Sequence, residues 1–333
     1  MNNPQSRDSK FDNLKGIMIF LVVCCHFTDK MYAAWPDDSL VRFIYYTIYF
    51  FHMPVFIFIS GFFSQKRRSD EYFRKTVSGS LIPYIVVDFL HGMFGTRGDI
   101  KKSILQLTRP HWTLWYLLSL FYWKLLALPI SMFRWPILIS VLAALFVGLT
   151  NLSFDLSLAR TFCFLPYFML GYTLSNDSIQ SIRKKSKIYP ILGFAFVLAI
   201  SVIMQWKKID IYVLYMSIPY RNMPALTAML YRLIVLMAGF VSILGFVAIV
   251  PDKHCILSVI GKNSVLIYLV HAMIIRIIMR YTSFRIENGR SCILIATAFS
   301  AIVCLVFGSE PLARVYSSAI NLISNAVLKK SNA

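Results

Sequence analysis

The sequence predicts an all-α, polytopic integral membrane protein of about ten transmembrane helices, and three observations carry that prediction. Its 333 residues are 58% hydrophobic, with a mean hydropathy of +0.64, whereas a soluble domain is about 45–50% apolar. Apolar runs long enough to cross a hydrocarbon core of ~30 Å alternate with short connections. Those connections hold most of the basic charge, in a chain with 34 Lys and Arg against 15 Asp and Glu.

The runs cover about 14–34, 43–63, 77–94, 112–130, 135–150, 160–175, 188–206, 228–250, 259–279 and 291–308, with boundaries good to about two to four residues. The first run is longer than the apolar stretch of a signal peptide, and Tyr32-Ala33-Ala34 is a poor cleavage site, so it reads as a retained helix. With no internal repeat and no long linker, the chain reads as one membrane-embedded domain over 1–333. Its core is about 14–308, and 309–333 is a short, mildly amphipathic cytoplasmic tail ending in Lys329-Lys330. Six scattered cysteines without a C-x-x-C read as small buried hydrophobes, so neither a disulfide nor a metal is expected.

A net charge of +19 would point to nucleic acid in a soluble protein. Here the positive-inside rule uses it for topology, and no nucleic-acid partner is expected. Lys66, Arg67, Arg68, Arg74 and Lys75 fill the second loop, and Arg183, Lys184, Lys185 and Lys187 the sixth. Ten spans with a cytoplasmic N-terminus put both clusters, and both termini, inside. Arg97, Lys101, Lys102, Arg109, Arg280, Arg285 and Arg290 then fall outside, as solvated charge or as an attraction for an anionic substrate or membrane lipid. The connection at about 207–227 carries Asp210, Tyr212, Tyr215, Tyr220 and Arg221 and is punctuated by Pro219 and Pro224. Such aromatics suit an interfacial belt and a carbohydrate site equally.

Ionisable groups inside a bilayer are expensive and are functional by default. Lys15 and His26 are eleven residues apart, which returns to nearly the same helix face about 16 Å along the axis. Counted from the inner surface, His26 and Asp88 lie at about 16 Å, His52 at about 18 Å and His271 at about 15 Å, so three histidines and a carboxylate share one layer. His52, Phe56 and Ser60 form one helix stripe and Ser264, Tyr268 and His271 another, as a polar lumen between helices requires. Each has a plainer reading. An intramembrane His is often an interhelical hydrogen bonder, and His52, followed by Met53-Pro54, can serve a carbonyl freed by the proline. His91, near a span end, reads as structural. The aromatics Trp112, Trp115, Tyr116, Tyr122 and Trp123 fit belt and packing as well as a sugar platform. Spacing alone does not make His26, His52 and His271 converge on a metal.

Phe11-Asp12-Asn13-Leu14-Lys15-Gly16 with His26, followed by Phe51-His52-Met53-Pro54-Val55-Phe56-Ile57-Phe58-Ile59-Ser60-Gly61, resembles the integral-membrane acyltransferase 3 family, in particular its stand-alone fucose 4-O-acetylase-like members. Ile82-Pro83-Tyr84, Leu114-Trp115-Tyr116-Leu117, Phe168-Met169-Leu170-Gly171-Tyr172 and Ile260-Gly261-Lys262-Asn263-Ser264-Val265-Leu266-Ile267-Tyr268-Leu269-Val270-His271 extend the likeness in order along the whole chain. The family pattern is a basic residue, ten intervening residues and a histidine; Lys15 and His26 fill it. A basic pair shortly before Ile-Pro-Tyr is replaced here by Thr76-Val77-Ser78-Gly79-Ser80, with Arg74-Lys75 further upstream.

The resemblance implies a multi-pass protein of the bacterial cytoplasmic membrane. It implies acetyl-CoA, or another acyl-CoA, as donor and a sugar hydroxyl of a cell-surface glycan (polysaccharide or lipid-linked) as acceptor. His26 then suits a general base or a covalent acyl carrier, and Asp88 or a hydroxyl could orient it. His52, Asn263, Ser264 and Tyr268 are candidates for oxyanion or acceptor contacts, with His271 and Trp115 as further acceptor candidates. Lys15, Arg67, Arg68, Arg74 and Lys75 are the counter-charge for the CoA phosphates. The alternative is a secondary transporter or lipid-linked sugar flippase, since mid-depth polar groups also serve transport.

Overall fold

The computed structural model describes residues 9–32, 37–65, 70–184, 187–220 and 223–329. Arg67 and Arg68 lie outside them. Among the described residues the architecture is helical, without a strand beyond one isolated bridge between Tyr32 and Ile286. The helices are α1 (Ser9–Met31), α2 (Ser39–Tyr49), α3 (His52–Phe62), α4 (Asp70–Thr76), α5 (Ile82–Thr96), α6 (Ile100–Gln106), α7 (Trp115–Ser131), α8 (Pro136–Phe146) and α9 (Leu158–Thr173). Then follow α10 (Asn176–Lys184), α11 (Ile188–Trp206), α12 (Tyr212–Tyr215), α13 (Ala225–Ile249), α14 (Ile256–Lys262), α15 (Ser264–Tyr281), α16 (Gly289–Phe307) and α17 (Glu310–Val327).

Among the described residues, seven helical segments are long and apolar enough to cross a membrane: Ser9–Met31, Ser39–Phe62, Asp70–Thr96, Ile188–Trp206, Ala225–Ile249, Ser264–Tyr281 and Gly289–Phe307. The fifth and sixth apolar runs of the sequence are the shorter α8, extended by a 3-10 turn to Leu149, and α9; the fourth is α7, also shorter. Leu230, Met237, Leu294, Ile302 and Leu305 are exposed on these helices, as side chains that face lipid tails must be.

Four elements depart from the sequence reading. The second run is broken between α2 and α3 because Pro54 has no N–H and its ring crowds the carbonyl one turn back. The third begins earlier: α4, a π-helical turn at Val77–Leu81 and α5 join end to end, so Arg74 and Lys75 are helical rather than in a loop. The connection after α5 contains helix α6. The tail is the 18-residue α17, whose apolar residues Leu312, Val315, Tyr316, Ala319, Ile320, Ile323 and Val327 fall on one arc at helical spacing.

The chain divides into two compact units. The first comprises residues up to Phe56, Asp177–Lys207 and Val241–Arg314. Here α1 packs on α14, α15 and α16. Two glycines of the sequence motifs set the α1–α14 approach: a Cβ on Gly16 would strike the Leu257 carbonyl, and one on Gly261 the Asp12 carbonyl and Gly16 nitrogen. Small residues at such crossings let backbones meet, the usual means of helix association in lipid. Buried Asn13 then closes the turn before α14, its Nδ2 donating to Pro251 O (3.0 Å) and Lys253 O (2.9 Å) while its Oδ1 accepts from Ser258 Oγ (2.6 Å). Gly261→Ala is expected to lower stability by about 1–3 kcal/mol, the cost of overpacking, read as a lower melting temperature in detergent; an unchanged melting temperature would show that the two helices can part freely.

The second unit comprises Ile57–Asn176, Lys208–Phe240 and Val315 onward. Its equivalent crossing joins the end of α3 to α9. A Cβ on Gly61 would meet Phe168 O, and one on Gly171 would meet Phe58 O. Gln65 Nε2 donates to Gly171 O (2.9 Å) and Leu174 O (2.5 Å), and Ser60 Oγ and Tyr116 OH share a hydrogen bond of 2.7 Å.

Candidate functional site

The first unit holds a histidine pair. His26, half-buried on α1, and His271, fully buried on α15, approach with Nδ1 of His26 3.0 Å from Nε2 of His271. Their rings are nearly parallel, at 9° and 5.2 Å between centroids. The hydrogen positions follow from the partners. His271 Nδ1 lies 3.1 Å from the carbonyl oxygen of Ile267. A carbonyl only accepts, so this nitrogen carries the hydrogen, and Nε2 of the neutral ring is an acceptor. His26 Nδ1 must therefore donate to it, which makes Nε2 the lone-pair nitrogen of His26. The run Ile267 carbonyl, His271, His26 fixes one tautomer and one ring orientation. An imidazole held in this way has the features of a general base.

Lys15 stands on the same unbroken helix as His26, so the eleven-residue spacing holds at about 16 Å. Its Nζ pairs with Asp12 Oδ1 at 2.6 Å, one turn back, with the two side chains 18% and 6% exposed. Any anion drawn to Lys15 therefore joins an existing ion pair.

The other candidates divide. Tyr268, buried, stands 6.0 Å from the His271 ring, so the Tyr268–His271 part of the predicted stripe is formed, with Ser264 also buried. Asn263 donates through Nδ2 to Gly308 O at 2.7 Å and joins α14, α15 and the end of α16. His52 is buried with Nδ1 2.8 Å from Ile48 O and its ring edge-on to Tyr49 at 4.6 Å. By the same argument its Nε2 is a lone pair, so in this tautomer His52 cannot donate to an oxyanion.

Asp88 and Trp115 belong to the second unit. The partner of Asp88 is His111: Oδ1 accepts the His111 backbone N–H at 2.7 Å and lies 3.1 Å from its Nδ1. Asp88 Oδ2 is buried and makes no hydrogen bond among the described residues. His91, one turn along α5 from Asp88, brings its ring to 6.0 Å from that of His111, whose Nε2 lies 3.1 Å from Gln106 Oε1. Trp115 is nearly buried against Phe164, and the Arg160 guanidinium covers its ring at 5.1 Å, so little of that ring is presented as a platform. Lys75 pairs with Glu71 one turn back. Arg74, by contrast, has a buried Nη1 without a hydrogen-bond partner among the described residues, a donor left for an anion. Among the described residues no three His, Cys, Asp or Glu side chains are grouped to hold a metal.

Neither His111, the partner of Asp88, nor the buried Arg232 stood out in the sequence. His111 lies 23 positions from its partner in a connection. Arg232 gave one signal, as the single charged residue of α13.

Comparison with known proteins bears on these motifs directly. The chain is 25% identical over 331 residues, covering 90% of it and 86% of the relative, to the nodulation protein NolL of Sinorhizobium fredii (strain NBRC 101917 / NGR234). A segment of 59 residues, 18% of this chain and 16% of the relative, is 39% identical to the nodulation protein NolL of Mesorhizobium japonicum (strain LMG 29417 / CECT 9101 / MAFF 303099). No solved structure matches it. The acyltransferase domain model of the acyltransferase 3 family matches residues 8–309, a stretch that holds α1 through α16, both glycine crossings and the histidine pair. The chain belongs to the acyltransferase 3 family and is an acyltransferase.

Proposed function

We propose that the protein is an O-acetyltransferase of the bacterial cytoplasmic membrane, with ten spans and both termini cytoplasmic, that moves an acetyl group from acetyl-CoA to a sugar hydroxyl of a cell-surface glycan. The observation that supports it most is the oriented His26–His271 pair, with His26 on the helix that carries Lys15.

In this reading His26 Nε2 removes the proton of the sugar hydroxyl as its oxygen attacks the thioester carbonyl carbon. The positive charge that develops on His26 is held by His271, whose own Nδ1–H rests on the Ile267 carbonyl. When the C–S bond breaks, His26 returns its proton to the thiolate, and the products are the O-acetyl sugar and CoA-SH. Tyr268, beside His271, is the nearest candidate for a hydroxyl contact to acceptor or oxyanion. CoA brings phosphates that need counter-charge. The residues present fit such a group, since Arg74 Nη1 is a buried donor without a hydrogen-bond partner among the described residues and Lys15 is a cation, paired with Asp12, on the helix that carries His26. Lys75, Arg67 and Arg68 are the remaining basic candidates of this role.

Purified protein with acetyl-CoA and a glycan acceptor tests the reading by release of free thiol and appearance of an alkali-labile ester. Lys15→Arg is expected to keep most of the activity. Lys15→Ala should raise the KM for acetyl-CoA about tenfold, the scale of one lost charge-assisted hydrogen bond, with kcat changed less. A normal KM in the alanine variant would remove Lys15 from donor binding.

A further inference from the structure

The second unit contains an open, shallow pocket that the chemistry above does not use. Asp210, Tyr212, Tyr220 and Arg232 supply its polar and aromatic lining, with Ile218, Pro219 and Met223 between them. The wall is built firmly. Tyr220 donates its backbone N–H to Gly148 O (2.9 Å) and its hydroxyl to Leu145 O (2.9 Å), which staples the connection to the end of α8. Its ring lies beneath the Arg232 guanidinium, 4.3 Å from centroid to Cζ.

Arg232 is the informative member. It is only 5% exposed, and a guanidinium does not give up its proton in proteins, so its charge is permanent. Burying such a charge is costly unless it is paired. Its partners are neutral: Nη1 donates to Ala144 O at 2.9 Å, and Nη2 lies 3.5 Å from Ile218 O. No described carboxylate is within ion-pair distance. Two carbonyls and a ring, all neutral, are the described partners of this five-donor fork, whose charge lies at a pocket wall. Asp210, on the same pocket, is exposed and accepts the Tyr212 N–H at 2.9 Å, which orients it as an acceptor for hydroxyls.

We infer that this pocket binds an acidic sugar, a uronic acid residue whose carboxylate meets Arg232 and whose hydroxyls meet Asp210 and Tyr212, with Tyr220 as part of the wall. A singly charged carboxylate paired with Arg232 meets less repulsion from Asp210, on the same pocket, than a phosphate dianion would. Sugars also lie against aromatic faces, which the exposed Tyr212 supplies. The inference rests on the glycan acceptor proposed above and deepens it: the acceptor carries carboxylates.

The test is equilibrium binding of sodium D-glucuronate, D-glucose and inorganic phosphate to the full chain in phospholipid nanodiscs, with acetyl transfer measured in parallel on acidic and neutral oligosaccharides. Glucuronate should bind at least about tenfold tighter than glucose, from one charge-assisted pair, and tighter than phosphate. Arg232→Gln should abolish the preference between the sugars. Asp210→Asn, a change at an exposed rim that does not depend on the tolerance of position 232, should increase the preference for glucuronate about threefold or more by removing repulsion. Equal binding of the two sugars, a preference that survives Arg232→Gln, a preference unmoved by Asp210→Asn, or tighter binding of phosphate would each overturn the inference. Absence of acetyl transfer to any glycan would instead sink the proposed function, so the two failures are distinguishable.

Discussion

His26→Ala is expected to lower acetyl transfer by roughly 10²–10⁴-fold, the range supplied by a positioned general base, while the protein still reaches the membrane. The effect should lie in kcat, because the imidazole acts on the hydroxyl in the transition state and adds little to ground-state binding. The structure gives this expectation its particular form. His26 Nδ1 is committed to His271, so chemistry must pass through Nε2. His26→Gln can preserve some packing and hydrogen bonding, yet its amide is not a base at neutral pH, and it should be as inactive as the alanine variant. Activity in the glutamine variant would mean that the ring positions the substrate rather than takes a proton.

The second large effect is expected at His271, whose proposed role is to position His26 rather than to touch substrate. His271→Ala removes the acceptor that fixes the His26 tautomer and stabilises its charged form. A loss of about 10–100-fold in kcat is expected, by analogy with the loss of groups that orient a ligating imidazole, with the KM for acetyl-CoA little changed. A purely structural role would give a similar loss through lower folded yield, so the conservative variant separates the two. In His271→Gln the side-chain carbonyl can accept from His26 Nδ1, and activity should recover substantially over alanine at equal melting temperature. If glutamine and alanine were equally inactive while both fold normally, the orienting role would be lost.

The candidate site was legible in parts that depend on a single helix. Lys15 and His26 share α1, and a period of 3.6 residues makes their common face a matter of arithmetic. His271 came into view because depth along a span can be counted from its boundary. Its partnership with His26 could not be read, since the residues are 245 positions apart and contact depends on how closely two helices approach. That closeness is set for α1 and α14 by Gly16 and Gly261, whose place in the motifs was visible but whose collision partners were not. Asp88 shows the limit of the depth argument: it lies in the right run, yet α6 and the connection behind it bring His111 to its carboxylate. His52 shows the plainer reading at work, bonded within its own helix beside the break that Pro54 dictates. Arg74 and Lys75 read as loop residues because the sequence of the π-helical turn, Val77-Ser78-Gly79-Ser80-Leu81, has the composition of a break, although the helix runs through it.

The most direct measurement is mass spectrometry of surface glycan from cells with and without this gene, before and after mild alkali. The account predicts that an acetyl-sized, alkali-labile increment disappears with the gene, returns with the wild-type protein and does not return with His26→Ala. Ester content unchanged by the gene, or fully restored by His26→Ala, would contradict it.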